Sequence, residues 1–146
     1  MSAVRSAAAV HVVVGLISDL DGRWLVNRRQ PETHMAGFWE FPGGKSLTGE
    51  DRFEALRREL NEELGIEVLK AEPFMTLVHD YPDKRVRLDI WRVLRYRGAV
   101  DACEGQLLRW LSADEIPDVG LLPADLPIVD ALLEFNRERA GNARPE

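Results

Sequence analysis

Cysteine is almost missing from this chain: Cys103 is the only one among 146 residues. A single thiol cannot close an internal disulfide, so the fold must rest on its core, and such usage fits a reducing compartment. Cations are short as well. There are 19 Lys and Arg against 25 Asp and Glu, which leaves a formal net charge of -6. A domain that grips a nucleic acid polymer carries the opposite balance, so no DNA or RNA polymer is expected as partner. A mononucleotide stays open, because a metal ion can mediate between an acidic protein and an acidic phosphate. No apolar run approaches the ~20 residues that a membrane-spanning helix needs, and no membrane partner is expected. Before the first apolar stretch stands only Arg5 with Ala7, Ala8 and Ala9, a poor match to a secretory signal. The expected location is therefore cytoplasmic. Repeats, low-complexity tracts and linkers are absent too. The expectation is one domain over 9–139, with flexible termini at 1–8 and 140–146.

What is present is concentrated in GKSLTGEDRFEALRRELNEELGI, Gly44 to Ile66. No proline or β-branched residue interrupts 50–64, and good helix formers dominate it. Thr48 is placed to cap the helix, with Asp51 three residues on as the capping acid. Gly65 supplies a left-handed stop. At roughly 100° per residue, Phe53, Leu56, Leu60 and Leu64 share an apolar stripe. Glu59, Glu62 and Glu63 share another at its border, with Ala55 leaving space on that side. Like charges at this spacing cost a helix about 0.2–0.5 kcal/mol per pair. Two explanations fit: a solvated acidic face, or a site for a hard divalent cation, which favours clustered oxygen ligands.

The rest of the chain alternates strands with turns. Val10–Ser18 reads as a strand buried on both faces. Asp19–Gly22 turns it into a hairpin partner over Arg23–Asn27. Arg28 to Gly37 is a polar loop, and Pro42-Gly43-Gly44 a turn. Ile66–Lys70, Phe74–Tyr81, Val86–Tyr96 and Leu107–Leu111 read as strands, Ser112–Ile116 as a helical turn and Ala124–Arg139 as a helix. A mixed sheet covered on both faces follows from that order, an α/β fold.

Gly44, Glu50, Arg58-Glu59-Leu60, Glu62-Glu63 and Gly65-Ile66 stand at the spacing of the Nudix box, so the chain resembles the Nudix hydrolases. It is similar to their MutT-type members in RRQPETHMAGFWEFPGGK as well. The resemblance implies an α/β/α sandwich with a mixed sheet between helices. It implies a Mg²⁺-dependent hydrolase, with Mn²⁺ able to substitute, acting on a nucleoside triphosphate as monomer or homodimer. Glu59, Glu62, Glu63 and Glu104 become the expected metal ligands, with the Gly43 carbonyl. Arg58 is expected to hold a carboxylate, or else merely to pair on the surface. Glu50 is a box position that could serve only the helix dipole. Glu59 or Glu104 is expected as the base. Arg29 and Lys45 are expected on phosphate, with Arg28 facing solvent. Val10, Val12 and Phe41 are expected against the base, with Tyr81, Asp83 and Val86 at the rim. Asp125 stands where MutT-type relatives carry an Asn that reads the base, and it fits a helix N-cap equally well. The implied reaction releases a nucleoside monophosphate and pyrophosphate. Oxidised purines such as 8-oxo-dGTP are the favoured substrate, and CTP or 5-substituted dCTP the alternative. A non-catalytic nucleotide-sensing module is the reading from another class.

Overall fold

The structure is a computed structural model that describes residues 9–142; of the termini expected to be flexible, 1–8 and 140–146, residues 1–8 and 143–146 lie outside the described residues, and 140–142 belong to the last helix. β1 (Val10–Leu16) pairs antiparallel with β4 (Gly43–Lys45) and parallel with β6 (Lys84–Arg97), which pairs antiparallel with β5 (Glu67–Tyr81). These four make a mixed sheet in the order β4-β1-β6-β5. A second, antiparallel sheet joins β3 (Trp39–Glu40), β2 (Trp24–Arg28) and β7 (Leu108–Leu111). The expected hairpin of the first two strands survives only at its tip. Ser18 bridges Trp24 and Leu25 N–H donates to Ile17, after which β1 and β2 part into different sheets. The tip itself is tight, because Asp19 Oδ1 accepts from the N–H of Asp21 and Arg23 at 2.9 and 2.8 Å.

Each face of the mixed sheet has its own core. The side-chain period of two in a strand sends Val13 one way, with Ile17 just past the strand, and Val14 and Leu16 the other. The first set meets α1 (Arg52–Leu64), whose Leu56, Leu60 and Leu64 are fully buried. Ala55 is fully buried there too, so it leaves no open space beside the carboxylates. The second set meets the three-stranded sheet and α2 (Leu126–Asn142), which inserts Ile128, Val129 and Leu132. The result is the α/β/α sandwich expected from the resemblance.

Several boundaries differ from expectation for local reasons. Asp51, not Thr48, caps α1: its Oδ2 accepts from the N–H of Phe53 and Glu54 at 3.1 and 3.2 Å. Gly49, at φ +79°, turns the chain ahead of it, and Glu50 stays outside the helix, accepting the Leu47 N–H at 2.9 Å. Gly65 ends the helix at φ 73° as expected. The two expected strands before Tyr81 form one, β5, with register shifts around Lys70 and Pro73. Its edge position spares Pro73 a ladder donor. α2 begins after a 3-10 turn at Pro123–Asp125 and continues to Asn142, beyond the expected end.

Candidate active site

β4 is the wall on which the site is built. Gly43–Lys45 lies beside β1, where no side chain fits: a Cβ on Gly43 would stand 2.0 Å from the Val13 carbonyl oxygen. A Cβ on Gly44 would stand 2.1 Å from Glu59 Oε1. Two glycines therefore let α1 bring its carboxylates against the strand. Glu63 Oε1 accepts the Gly43 N–H at 3.1 Å. Arg58 organises the neighbours. Its Nε and Nη2 donate to Glu50 at 2.8 and 3.0 Å, and Nη1 donates to Glu59 at 3.0 Å and reaches Glu62 at 3.4 Å. Nη2 also donates to the Lys45 carbonyl, tying the helix to β4. Glu50 thus serves the Arg58 guanidinium and not the helix dipole. That contact holds its carboxyl down to about 2.

Among the described residues, no three His, Cys, Asp or Glu side chains stand close enough to chelate an ion as they are placed. The electrostatics nonetheless fit one. Glu63 is only 8% exposed. Burial first, then Glu40, with Glu104 and Glu59 adding, pushes its carboxyl up to about 9 against the Gly43 N–H. Burial also raises Glu59, with Glu62 and Glu104 adding to the rise against Arg58. Crowded oxygen donors that resist ionisation are a donor set that a hard divalent cation would complete. Glu59, Glu62, Glu63 and Glu104, with the Gly43 carbonyl, are the residues that could hold it.

The other side of β4 lines a cavity of ≈ 230 Å³. Val10, Val12, Phe41, Lys45, Tyr81, Val86 and Asp125 all line it, as do Gly43, Gly44 and Arg29. Asp83 does not; it is exposed outside the cavity, with an oxygen 3.9 Å from His34 Nδ1. Asp125 is 3% exposed, and its Oδ2 accepts the Phe41 N–H at 3.0 Å. That bond crosses the fold and takes the carboxyl away from the helix-cap alternative. Burial, then Glu40, pushes it up to about 8.

Arg29 lines the cavity. Its Nη1 donates to Glu40 at 2.9 Å and its Nε to the His34 carbonyl, so in this structure it is engaged in the cavity wall. Glu40, His34 and Lys84 are among the cavity residues that sequence reasoning did not assign. Glu40 is placed there by the pairing of β3 with β2, in register with Asn27, which no local sequence pattern shows. Its carboxyl is raised by burial, which Arg29 offsets only in part. His34 had no sequence signal either, since its Nε2 is buried without a partner only because the loop folds its ring edge-on to Tyr81.

A carboxylate-bearing helix and a cavity of ≈ 230 Å³ thus lie on opposite sides of one glycine strand, an arrangement suited to a metal-dependent hydrolase. Residues 13–131 match the NUDIX domain, and the chain belongs to the Nudix hydrolase family. That family generally needs a divalent metal ion. The chain is 36% identical over 127 residues to an Escherichia coli CTP pyrophosphohydrolase, covering 87% of this chain and 94% of that protein. It is 35% identical over 128 residues to the Escherichia coli 8-oxo-dGTP diphosphatase, covering 84% and 95%. Among solved structures, the E. coli ORF135 protein superposes with a TM-score of 0.79 at 35% identity, covering 90% of this chain and 93% of that one. No helix among the described residues is long and apolar enough to cross a membrane.

Proposed function

We propose that this chain is a Mg²⁺-dependent nucleoside triphosphate pyrophosphohydrolase of the cytoplasm, monomeric or homodimeric, with Mn²⁺ able to substitute. The observation that carries this is the shared wall. Gly43–Lys45 backs the carboxylates on one side and the cavity on the other, so a base in the cavity would lay its phosphates toward α1. A bound Mg²⁺ would lower the pKa of water and offset phosphate charge. Glu59, Glu62, Glu63 and Glu104 would hold it, with the Gly43 carbonyl. Arg58 keeps Glu59 and Glu62 aimed together, and Lys45 offers a cation at the cavity's phosphate end. Glu59 or Glu104 would take the proton from the attacking water. Attack at the β-phosphorus, as in the family, would release a nucleoside monophosphate and pyrophosphate.

For the base, an oxidised purine such as that of 8-oxo-dGTP is the first reading, consistent with the 8-oxo-dGTP diphosphatase relatives and a role in cleansing the nucleotide pool. A neutral Asp125 both donates and accepts, which suits a purine edge. The second reading, CTP or 5-substituted dCTP, is favoured by Asp125 standing as a carboxyl beside Glu40. When ionised, both accept from an exocyclic amino group. The relation to the CTP pyrophosphohydrolase supports it.

Pyrophosphate release should be measured with 8-oxo-dGTP, 8-oxo-GTP, dGTP, CTP and 5-methyl-dCTP. Glu62→Gln should lower turnover of every substrate; unchanged turnover would remove the metal mechanism. A preference for the pyrimidines would replace the first base reading by the second. Nucleotide binding with no turnover of any of them would point to a sensor.

A further inference from the structure

Glu104 is an exposed residue on the loop between β6 and β7, yet its backbone is held at both ends. Its N–H donates to Gln106 Oε1 at 3.0 Å, and its carbonyl accepts from Gln30 Nε2 at 2.6 Å. Gln106 is 5% exposed, and its Nε2 donates to the Glu63 carbonyl at 3.1 Å. The last carbonyls of a helix have no partner within it. Here the loop supplies partners: Cys103 N–H donates to the Glu63 carbonyl at 3.1 Å and Asp101 N–H to Leu64 at 3.0 Å. One buried amide therefore spans from the backbone of Glu63 to the backbone of Glu104. Both of its ends are matched, since its carbonyl meets a donor and its NH₂ an acceptor.

We propose that Gln106 is a positioning residue that sets the distance between the Glu104 and Glu63 carboxylates, and so the geometry in which they share a divalent ion. This rests on Glu104 acting on the metal side of the site. A loop carboxylate left to itself would sample many positions and hold an ion weakly. Latched to the same residue that supplies Glu63, it moves with α1. Gln30 steadies the loop from the other side.

The test uses the full chain and Mn²⁺ alone, titrated by electron paramagnetic resonance, beside steady-state kinetics and thermal melts. Gln106→Met keeps the shape and removes both hydrogen bonds. It is expected to weaken Mn²⁺ binding and lower kcat by roughly 10–100-fold each, with KM for the nucleotide little changed and a cooperative melt retained. Gln106→Glu keeps the acceptor but has the donor only when protonated, so both losses should be recovered as pH falls and return as its carboxyl ionises. If Gln106 acts through Glu104, adding Gln106→Met to Glu104→Gln changes binding and turnover by less than about twofold. Wild-type Mn²⁺ binding in Gln106→Met beside an impaired Glu104→Gln would overturn the proposal. A Gln106→Met loss that persists undiminished on the Glu104→Gln background would overturn it too. If Glu104→Gln itself binds and turns over like wild type, the metal-side reading of Glu104 fails and takes this proposal with it. Should Gln106→Met not fold, Gln106→Asn, whose amide is one methylene too short to span both backbones, takes its place in the same comparisons.

Discussion

Two buried carboxyls, Asp125 and Glu63, set the behaviour of the site at the level of single residues. Burial raises both, to about 8 and about 9, whereas an unfolded chain releases these protons near pH 4. Between those limits the folded state binds more protons than the unfolded one, so stability falls as pH rises. The contribution is fully present below about pH 4 and is lost as pH passes through the folded values. The metal-free protein should melt at a progressively lower temperature as pH rises from 5 to 9. Asp125→Asn should flatten that slope, and Mg²⁺ should restore stability at high pH by binding ionised Glu63. A Tm that rises over this range in the absence of metal would contradict the assignment. These roles were only partly legible in the sequence. The box placed Glu63 by spacing alone. Asp125 could be matched to a base-reading position but not separated from a cap, because the bond to Phe41 N–H links residues 84 apart in the chain. Arg29 was matched to phosphate, and its partner Glu40 depends on a strand pairing that no local pattern shows.

Elements were legible where their signals were local. The stop of α1 at Gly65 and its apolar stripe followed from periodicity and left-handed backbone geometry. Its start did not, because Thr48 and Asp51 both fit a cap and only the turn at Gly49 decides between them. The parting of β1 and β2 was invisible for another reason: a turn signal shows that two strands meet, not how far they stay together. β4 was read as a turn, since glycines rarely signal a strand. Its glycines are what let α1 approach, which yields a direct prediction. Gly44→Ala would drive its methyl against Glu59 Oε1, 2.1 Å away. Glu59 must swing aside, so if it acts as proposed, turnover should fall by on the order of 10²-fold through its misplacement, while circular dichroism and Tm stay near wild type. Retained turnover would show that Glu59 is not needed where it stands.

The whole molecule is a sandwich with two cores, and β2 feeds both, Trp24 and Val26 into one and Leu25 into the other; the carboxylates lie on the side that α1 covers and the cavity on the other. Fold class was readable from element order and from the box. What escaped was the second sheet, which forms from segments spread over Trp24–Leu111, separations that periodicity cannot see. Because α1 carries the carboxylates, its core should couple stability to activity. Leu60 is fully buried and lies against Gly15, where an added Cβ would stand 2.7 Å from its Cδ1. Leu60→Ala should cost about 2–5 kcal/mol in a denaturant titration and weaken Mn²⁺ binding as α1 loosens. Leu132→Ala, in the other core, should cost about as much and leave Mn²⁺ binding nearly intact. Equal losses of binding in both would deny that the α1 core alone supports the metal side.

The proposed reaction cuts a nucleoside triphosphate between its α- and β-phosphates by water attack at the β-phosphorus, using the carboxylates of α1. The most direct measurement is hydrolysis of 8-oxo-dGTP and of CTP with Mg²⁺ in ¹⁸O-enriched water, with mass analysis of both products. The expected products are a monophosphate without label and pyrophosphate carrying one ¹⁸O, with neither formed by Glu59→Gln at a comparable rate. Label in the monophosphate, or release of orthophosphate in place of pyrophosphate, would contradict it.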